Sequence, residues 1–501
     1  MQPILLYNAH FLDFRKPRRQ IRAIQIRNGI IEKTFPEKPK LPRTIKQYDL
    51  KDSYVIPGFI DSHTHLISLG IERQRINLEK CRSLNDCFDK LRSGLTKEKK
   101  VVFASNWDES IWSSFKLENL NRHTLDRISR KKPIIMRRIC GHFAVVNSCG
   151  LNHISSKWHI VDRKNGYLYE DIALSLNDIF KPDDAMLLKA VKLGTSEALR
   201  KGITSVHEIT SPRRFRLLQN IKTKRGLKLR FSVYILLKYF KDILNAGFAS
   251  GLGDDFLSFS GIKVFLDGSI GAKTAALTKP YARTRTYGKI LITKHKLERI
   301  ASAAKKHSIQ LMIHTIGDRA TGQALKVLKK ISTGTRNPLR HRLEHLEILN
   351  HSLIREIAGL DLICSMQPNF ARRWQKPGNM YEQNLGDRYK TMNCFKQISD
   401  IGIKLVFGSD CMPLGPLFGI QGAIHHPFPY GRLKPESAFR SYTTEGAFAT
   451  FAENRKGVID EGFLADLVVF DKNPLTQTNM DRIKVLMTMV NGDIVYQRKL
   501  S

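Results

Sequence analysis

The feature that most constrains the fold is a repeated alternation of short apolar runs with segments of helical pattern through the middle of the chain. The runs are rich in β-branched residues and end in polar side chains: ITSVHEI (203–209), GIKVFLDG (261–268), SIQLMIHT (308–315), LRHRLEHLEIL (339–349), LDLICSMQP (360–368) and IGIKLVFGSD (401–410). Apolar strands that alternate with helices indicate a parallel sheet covered on both faces. The sequence therefore predicts an α/β fold built on a (β/α)8 barrel of TIM type. In such a barrel the catalytic residues lie at the carboxyl ends of the strands.

Both ends of the chain differ from this middle part. Each has period-two apolar runs joined by an Asn-Gly pair, a pattern typical of strands linked by tight hairpin turns. We expect residues 1–56 and 455–501 to form one composite β-sandwich domain, with the barrel over 57–454. The stretch at about 71–190 interrupts the barrel pattern and is predicted to be an insertion domain.

The charge of the chain is unusual. Its 501 residues include 83 Lys and Arg against 46 Asp and Glu, for a net charge of +37. Such a surplus favours salt-sensitive contact with polyanions. The basic residues are scattered, however, and no nucleic-acid-binding motif accompanies them. We therefore expect a basic surface without a specific nucleic-acid partner.

Cysteine usage and hydropathy predict the compartment. The seven cysteines form no CxxC pair, which argues against a disulfide scaffold or a cysteine zinc site. The N-terminal stretch lacks the pattern of a signal peptide, and no apolar run reaches the length of a membrane span. We expect a cytoplasmic protein that acts on a small molecule without membrane association, and a homo-oligomer is left open.

Five side chains of metal-ligand type lie at or beside predicted strand ends. His63 and His65 are two residues apart, so on a strand they point to the same face. His314, His345 and Asp410 each end a later apolar run, and parallel strands bring such ends together. Each alone could be a core histidine or a helix cap. Together they predict a metal site, because imidazole and carboxylate are usual zinc ligands.

Lys263 is a basic residue within an apolar strand. An unpaired buried lysine is costly, so it should have a partner. One alternative is an ion pair with a carboxylate such as Asp267. The other is reaction with CO2, which would turn the amine into an oxygen ligand able to bridge two metals. The sequence leaves both open.

Seven segments in order resemble one enzyme family: PGFIDSHTHL, IKVFLDGSIGAKTAAL, IHTIGDRA, RLEHLEIL, CSMQPNF, FGSDCMPLGPLFGI and GVIDEGFLADLVVFDKNP. Together they look like the amidohydrolase superfamily, and they are most similar to its YtcJ-like (amidohydrolase-3) branch. The resemblance implies a metal-dependent hydrolase. His63 and His65 would hold one divalent ion, His314 and His345 a second, and a carboxylated Lys263 would bridge them.

The resemblance also implies a role for Asp410, which would touch the first ion and shuttle protons. Zinc, two ions per chain, suits the nitrogen and oxygen ligands best, although manganese or iron would also fit. The insertion segments SNWDESIW and GHFAVVNSCGL resemble those of the same branch. They make Trp107, Asp108 and His142 candidate substrate contacts. His207 ends a predicted barrel strand, so it is either a fourth contact that faces the site or a residue of structural packing.

These inferences predict an enzyme that cleaves a non-peptide carbon–nitrogen bond, such as a small amide, with a metal-activated water. Two alternatives stay open. One is a hydrolase with a single metal that acts on an ester or cyclic amidine, or a deaminase. The other is a basic binding protein with a relic site, although a relic would be expected to have lost at least one ligand.

Overall fold

The computed structural model describes residues 3–15, 20–40, 45–96, 100–109, 112, 116–139, 143–155, 161–169, 172–173, 175–332 and 337–498. These residues divide into two compact units, Met1–Leu66 with Thr195–Ser501, and Ile67–Gly194. The first unit contains two β-sheets and the second contains one.

Eight parallel strands form the barrel sheet of the first unit. In chain order they are Phe59–Thr64, Ile203–Thr210, Arg230–Leu236, Leu257–Phe265, Gln310–Thr315, Arg342–His345, Ile363–Met366 and Leu405–Phe407. Each pairs with the next in this order, and Leu252–Gly253 adds a short antiparallel strand beside the fourth. We number the eight as barrel strands 1 to 8. Nearly all residues of these strands are buried, as expected for a sheet covered on both faces.

The ends of this sheet meet where barrel strand 8 runs into the loop that follows it. The backbone N–H of Asp410 donates to the carbonyl of His63 at 2.8 Å, and that of Ser409 donates to the Asp61 carboxylate at 2.8 Å. Gly408 lies against this seam, where an added Cβ would come within 2.4 Å of the His63 nitrogen. Only glycine fits such a close backbone approach. The first and last strands are thereby held together.

Helices alternate with the strands, as the sequence predicts. Their bounds are Leu66–Glu72, Leu84–Ser93, Arg122–Asp126, Ser148–Leu151, Leu176–Ile179, Asp184–Arg200, Pro212–Arg225, Phe240–Asn245, Lys294–Lys306, Asp318–Ile331, His351–Gly359, Pro368–Trp374, Met380–Leu385, Phe395–Asp400, Pro416–Ile424, Pro435–Ser441 and Thr444–Phe448. Short 3-10 turns cover Leu117–Asn119, Leu237–Tyr239, Gly386–Thr391, Pro429–Gly431 and Met480–Arg482. None of the helices in the described ranges is both long and apolar enough to cross a lipid bilayer.

One barrel helix shows how the sequence determines where a helix forms and which of its faces is buried. In Lys294–Lys306 the buried residues are Leu297, Ile300, Ala301 and Ala304, a spacing that forms one stripe along a helix. The side chain of Thr293 caps its first turn by accepting from the backbone of Lys296. The lysines at its end suit the negative end of the helix dipole.

The second sheet of this unit combines both chain ends. Its strands are Ile4–Phe11, Ala23–Arg27, Ile30–Phe35, Lys46–Pro57, Leu467–Phe470, Val485–Val490 and Asp493–Gln497. Lys46–Pro57 lies at the junction, parallel to the first strand and antiparallel to Leu467–Phe470. One apolar cluster takes residues from strands of both chain ends, so the sheet encloses a shared core.

The unit Ile67–Gly194 has its own six-stranded sheet and its own apolar clusters. Its strands are Ile76–Asn77, Val102–Trp107, Ile134–Arg138, Phe143–Val146, Val161–Asp162 and Tyr167–Tyr169. The α/β class with a TIM-type barrel and additional sheets is thus the fold that the sequence predicts.

Candidate metal centre

Three side chains converge where the barrel sheet closes. The ligand atoms of His63, His65 and Asp410 all lie within 4.8 Å of one another. The Asp410 carboxylate is 3.2 Å from Nε2 of His65 and 3.9 Å from Nε2 of His63. His63 is buried, whereas the His65 side chain is 34% exposed and that of Asp410 is 17% exposed. The group is therefore anchored in the barrel interior and open towards solvent on one side.

Lys263 extends this group on the inner side. It lies on barrel strand 4, fully buried, with its Nζ 3.4 Å from Nε2 of His63. Asp267, the alternative partner considered above, is engaged elsewhere: its carboxylate accepts from the backbone N–H groups of Ala276, Ile316 and Gly317. The closest polar contact of the lysine is thus with a predicted ligand.

His314 and His345 complete the set. Their ring centroids are 4.4 Å apart, and the ring of His345 is 4.8 Å from that of His63. Nδ1 of His345 lies 2.7 Å from the amide oxygen of Gln367, and Nε2 of His314 lies 2.9 Å from the carbonyl of Gly268. The structure therefore connects all six predicted ligands in one chain of contacts, while their metal-binding role stays a prediction.

Burial keeps the three inner histidines uncharged at neutral pH. It lowers the pKa of His63 and of His345 well below the usual histidine value and that of His314 to about 4, with the charge of Lys263 contributing at each ring. Burial also lowers the pKa of Lys263 to about 8. Neutral imidazoles keep a free lone pair, which is the form that binds metal.

Asp410 behaves in the opposite way. Burial alone would raise the pKa of its carboxyl, but the hydrogen bond from His65 and the neighbouring His63 outweigh it, and the pKa is lowered. The carboxylate is therefore ionised at neutral pH. It can act as an anionic ligand and as a proton acceptor.

The backbone is in the left-handed region at two of these positions. His345 has φ 73° and Leu346 has φ 50°, and Asp410 and Cys411 have φ 51° and 57°. Such values are uncommon for residues with side chains and cluster at functional sites. Here they turn the chain sharply just after barrel strand 6 and barrel strand 8.

A buried ion pair contacts Nδ1 of His63 and so supports the centre, although the sequence motifs did not predict it. Glu344 on barrel strand 6 accepts from Nδ1 of His63 at 2.5 Å, and Arg342 binds both oxygens of Glu344, at 2.6 and 3.1 Å. Both residues are 0% exposed. The signal was present in RLEH, where two charged residues alternate on an apolar strand and so share its interior face.

Two phenylalanine rings flank the histidines. Phe265 is 38% exposed, with its ring 5.3 Å from that of His314, and Phe370 stacks parallel to His345 at 6.3 Å. The signal for Phe265 is its position two residues after Lys263, which places both on the same face of the strand. The histidine cluster thus has an apolar border.

Of the three substrate contacts predicted from the insertion segments, the structure describes two, which differ in their burial. Trp107 is 1% exposed in the core of the unit Ile67–Gly194, and its ring packs against Trp112 and Phe143. Asp108 follows it, half-buried. His142 lies outside the described residues. Substrate contact by these three side chains stays a prediction.

His207 is fully buried on barrel strand 2, where the guanidinium of Arg342 lies 2.9 Å from its Nδ1. Its Nε2 has no hydrogen-bond partner within the described ranges. The structure therefore places His207 beside the buried ion pair, and its contact with substrate also stays a prediction.

The chemistry of the donors fits a divalent ion. Nδ1 of His314 is buried without a hydrogen-bond partner among the described residues, although buried polar atoms are ordinarily paired. Two histidines and a carboxylate are ligands that zinc and related ions prefer. His63, His65 and Asp410 could hold one ion, and Lys263, His314 and His345 lie where a second could bind.

Comparison with known proteins finds relatives that span nearly the whole chain. A family model described as "Amidohydrolase family" matches residues 46–496. The chain is 26% identical to a protein of Bacillus subtilis (strain 168) named as an amidohydrolase, YtcJ, over 95% of this chain and 96% of that protein. It is 22% identical to an N-substituted formamide deformylase of Arthrobacter pascens, over 90% of each chain.

A solved structure shares the fold. The crystal structure of an uncharacterised metal-dependent hydrolase from Pyrococcus horikoshii OT3 aligns with a TM-score of 0.84 and 23% identity, over 96% of this chain and 99% of that one. The predicted TIM-type barrel is thereby confirmed. The resemblance that the sequence motifs indicated is confirmed as well, and it implies hydrolysis with a divalent metal. The chain belongs to the amidohydrolase family.

Proposed function

We propose that the protein is a metal-dependent hydrolase that cleaves a non-peptide carbon–nitrogen bond in a small amide-type substrate. The observation that carries the proposal is the convergence of His63, His65 and Asp410 within 4.8 Å at the carboxyl end of the barrel strands. In barrels of this type that end carries the reacting groups. The partly exposed His65 and Asp410 give a substrate access to the buried histidines.

A divalent ion held by His63, His65 and Asp410 would supply a water of lowered pKa and would polarise the scissile carbonyl. The protein itself must move the proton. The Asp410 carboxylate, ionised and within 3.2 Å of His65, accepts a proton from the attacking water. It then returns that proton to the nitrogen as the carbon–nitrogen bond breaks, so that the leaving group departs as a neutral amine.

We propose that the centre holds two zinc ions and that Lys263 is carboxylated. Burial and the pKa of about 8 leave part of the lysine as free amine near neutral pH, the form that attacks CO2. The amine nitrogen bonds to the carbon of CO2 and loses one proton, and the product is an anionic carbamate. A centre with one ion is the second candidate, because only His63, His65 and Asp410 form a compact group in the described ranges.

The bond type is supported by one relative. The Arthrobacter pascens protein similar to this chain over 90% of both lengths is named for action on N-substituted formamides. Such substrates are small amides, as the proposal requires. Phe265, which is 38% exposed beside His314, would face an apolar N-substituent.

The experiment that tests this proposal combines metal analysis with a substrate panel. Purified full-length protein should contain zinc, at up to two ions per chain, and should hydrolyse N-substituted formamides faster than matched esters, cyclic amidines or dipeptides. Chelation should abolish the activity and added Zn²⁺ should restore it. Repeated isolation of folded protein without metal, or activity that survives complete metal removal, would contradict the proposal.

We propose that the reaction takes place in the cytoplasm, with no membrane or specific nucleic-acid partner. The six described cysteines, all unpaired, are consistent with a reducing compartment. The net charge of +37 then belongs to the surface rather than to a binding function.

A further inference from the structure

Each of the three buried histidines in the centre has one ring nitrogen in contact with an oxygen atom, and the kind of oxygen differs among the three. His345 contacts a neutral amide oxygen of Gln367, and His314 contacts a neutral backbone carbonyl. His63 contacts a carboxylate, that of Glu344, at 2.5 Å, whereas the carboxylate of Asp267 lies 3.5 Å from Nε2 of His314. A charged acceptor forms the strongest hydrogen bond of the three. The three histidines therefore differ in the strength of the hydrogen bond that their rings make.

Glu344 is held as an anion by its surroundings. Arg342 grips both carboxylate oxygens and also donates to the backbone of Ser62, at 2.7 Å, and to the hydroxyl of Ser365, at 2.6 Å. Such a bidentate pair fixes the position of the carboxylate as well as its charge.

The opposite side of the His63 ring faces the centre. Its Nε2 lies 3.4 Å from Nζ of Lys263 and 3.9 Å from the Asp410 carboxylate. Because an ionised carboxylate only accepts, the proton shared with Glu344 must come from Nδ1. Nε2 is then left with its lone pair pointing at the predicted ligands.

We propose that Glu344, oriented by Arg342, is a positioning residue that fixes His63 in its Nδ1-protonated form and makes Nε2 the strongest nitrogen donor of the metal centre. This inference rests on the proposed function. A carboxylate behind a ligating imidazole sets the tautomer and raises ligand basicity. An ion held by His63, His65 and Asp410 would therefore be bound more tightly than one held by the other predicted ligands.

The same contacts account for His207. The permanently charged Arg342 donates to its Nδ1, so the proton of this imidazole lies on Nε2. His207 thus completes the surroundings of Arg342 from barrel strand 2. In this arrangement it helps to position the pair rather than to bind the ion.

The test measures zinc affinity of the full-length protein by competition with a chelator, using Zn²⁺ alone. Loss of such an outer carboxylate typically weakens metal binding about 10- to 100-fold, which is the effect expected for Glu344→Gln on the tighter ion. Asp466→Asn is the matched control. It removes the carboxylate from another buried pair, in which Arg230 binds Asp466 at 2.6 and 2.9 Å without touching a predicted ligand. The control should bind zinc as the unmodified protein does.

A second measurement needs no variant that alters the ion pair. In protein labelled with ¹⁵N-histidine, the His63 signals, assigned by their loss in His63→Gln, should report a proton on Nδ1 and none on Nε2. A proton on Nε2 would overturn the inference. Equal zinc affinity in Glu344→Gln and unmodified protein would also overturn it while the proposed function stands. Absence of zinc binding by the unmodified protein would overturn both.

Discussion

His65 and Asp410 meet at 3.2 Å between Nε2 and a carboxylate oxygen, although one follows the first barrel strand and the other follows the last. The contact exists because the sheet closes: the backbone of Asp410 donates to the carbonyl of His63 at 2.8 Å. The candidate centre is thus built at the seam of the barrel. Local unfolding of either strand would separate its ligands.

Asp410→Asn tests the proton transfer. The amide keeps the size of the side chain but cannot accept a proton from water, so kcat should fall by about 10²- to 10⁴-fold, the usual contribution of general acid–base catalysis. The assay is steady-state hydrolysis of whichever amide the substrate panel identifies. Circular dichroism and thermal unfolding should show that the fold is retained. Full activity in this variant would refute the assigned role.

The positions of the predicted ligands could be inferred from the sequence because they depend on a simple rule. Polar residues at the ends of apolar strands in a parallel barrel must gather at one face, and His314, His345 and Asp410 follow that rule. The pair His63 and His65 alone is weak evidence for a metal site, and it was the later residues that made a metal site the favoured prediction. The barrel itself followed from the strand and helix periodicity.

The supporting contacts could not be predicted in the same way. Arg342 and Glu344 alternate on one strand, which indicates an inward face but not that the carboxylate reaches His63 on another strand. The sequence likewise offered Asp267 as a partner for Lys263. The structure gives that carboxylate three backbone N–H groups instead, because the turns after barrel strands 4 and 5 enclose it. Such pairings depend on three-dimensional placement.

Lys263 should make zinc binding depend on CO2. Metal-free protein refilled in CO2-free buffer should bind fewer zinc ions per chain than protein refilled with bicarbonate, because the carbamate supplies ligand oxygens. With ¹³C-bicarbonate, one carbamate signal should appear in the carbon NMR spectrum and disappear in Lys263→Met.

Lys456 provides the matched control for this prediction. It is also buried with a pKa lowered to about 8 by burial, but its Nζ contacts the hydroxyl of Ser205 at 3.2 Å and no predicted ligand. Lys456→Met should keep the bicarbonate dependence. A dependence that survives in Lys263→Met would contradict the role of that lysine.

Phe265 should contribute to substrate binding. Its ring is 38% exposed beside His314, and covering an exposed phenylalanine is worth about 1–2 kcal/mol. Phe265→Ala should therefore lower kcat/KM roughly 5- to 30-fold for amides with an apolar substituent, mainly through KM, and much less for unsubstituted ones. Phe451→Ala is the control, since this ring is 45% exposed but packs on Arg340 ahead of barrel strand 6. Equal effects of the two variants would refute the assignment.

His341 should make the stability of the metal-free protein depend on pH. This residue lies just before barrel strand 6, accepts from the backbone of Leu311 at 3.0 Å, and burial lowers its pKa from 6.5 to about 4. The unfolded chain takes up a proton near pH 6.5, whereas the folded protein stays neutral until about pH 4. The stability that the folded protein gains from the neutral His341 is thus complete above pH 6.5 and is lost as the pH falls towards 4.

His341→Gln removes this proton uptake while its amide oxygen can still accept from Leu311. Between pH 7.5 and pH 5, the unmodified protein should lose about 2 kcal/mol more unfolding free energy than the variant, since one unit of pKa shift corresponds to about 1.4 kcal/mol. Urea unfolding of each protein at the two pH values measures its change in unfolding free energy. Comparing these changes removes any constant loss of stability that the substitution causes. His295→Gln, at an exposed helical position, should match the unmodified protein. If His341→Gln lost as much stability as the unmodified protein on acidification, burial of a neutral imidazole at this position would be refuted.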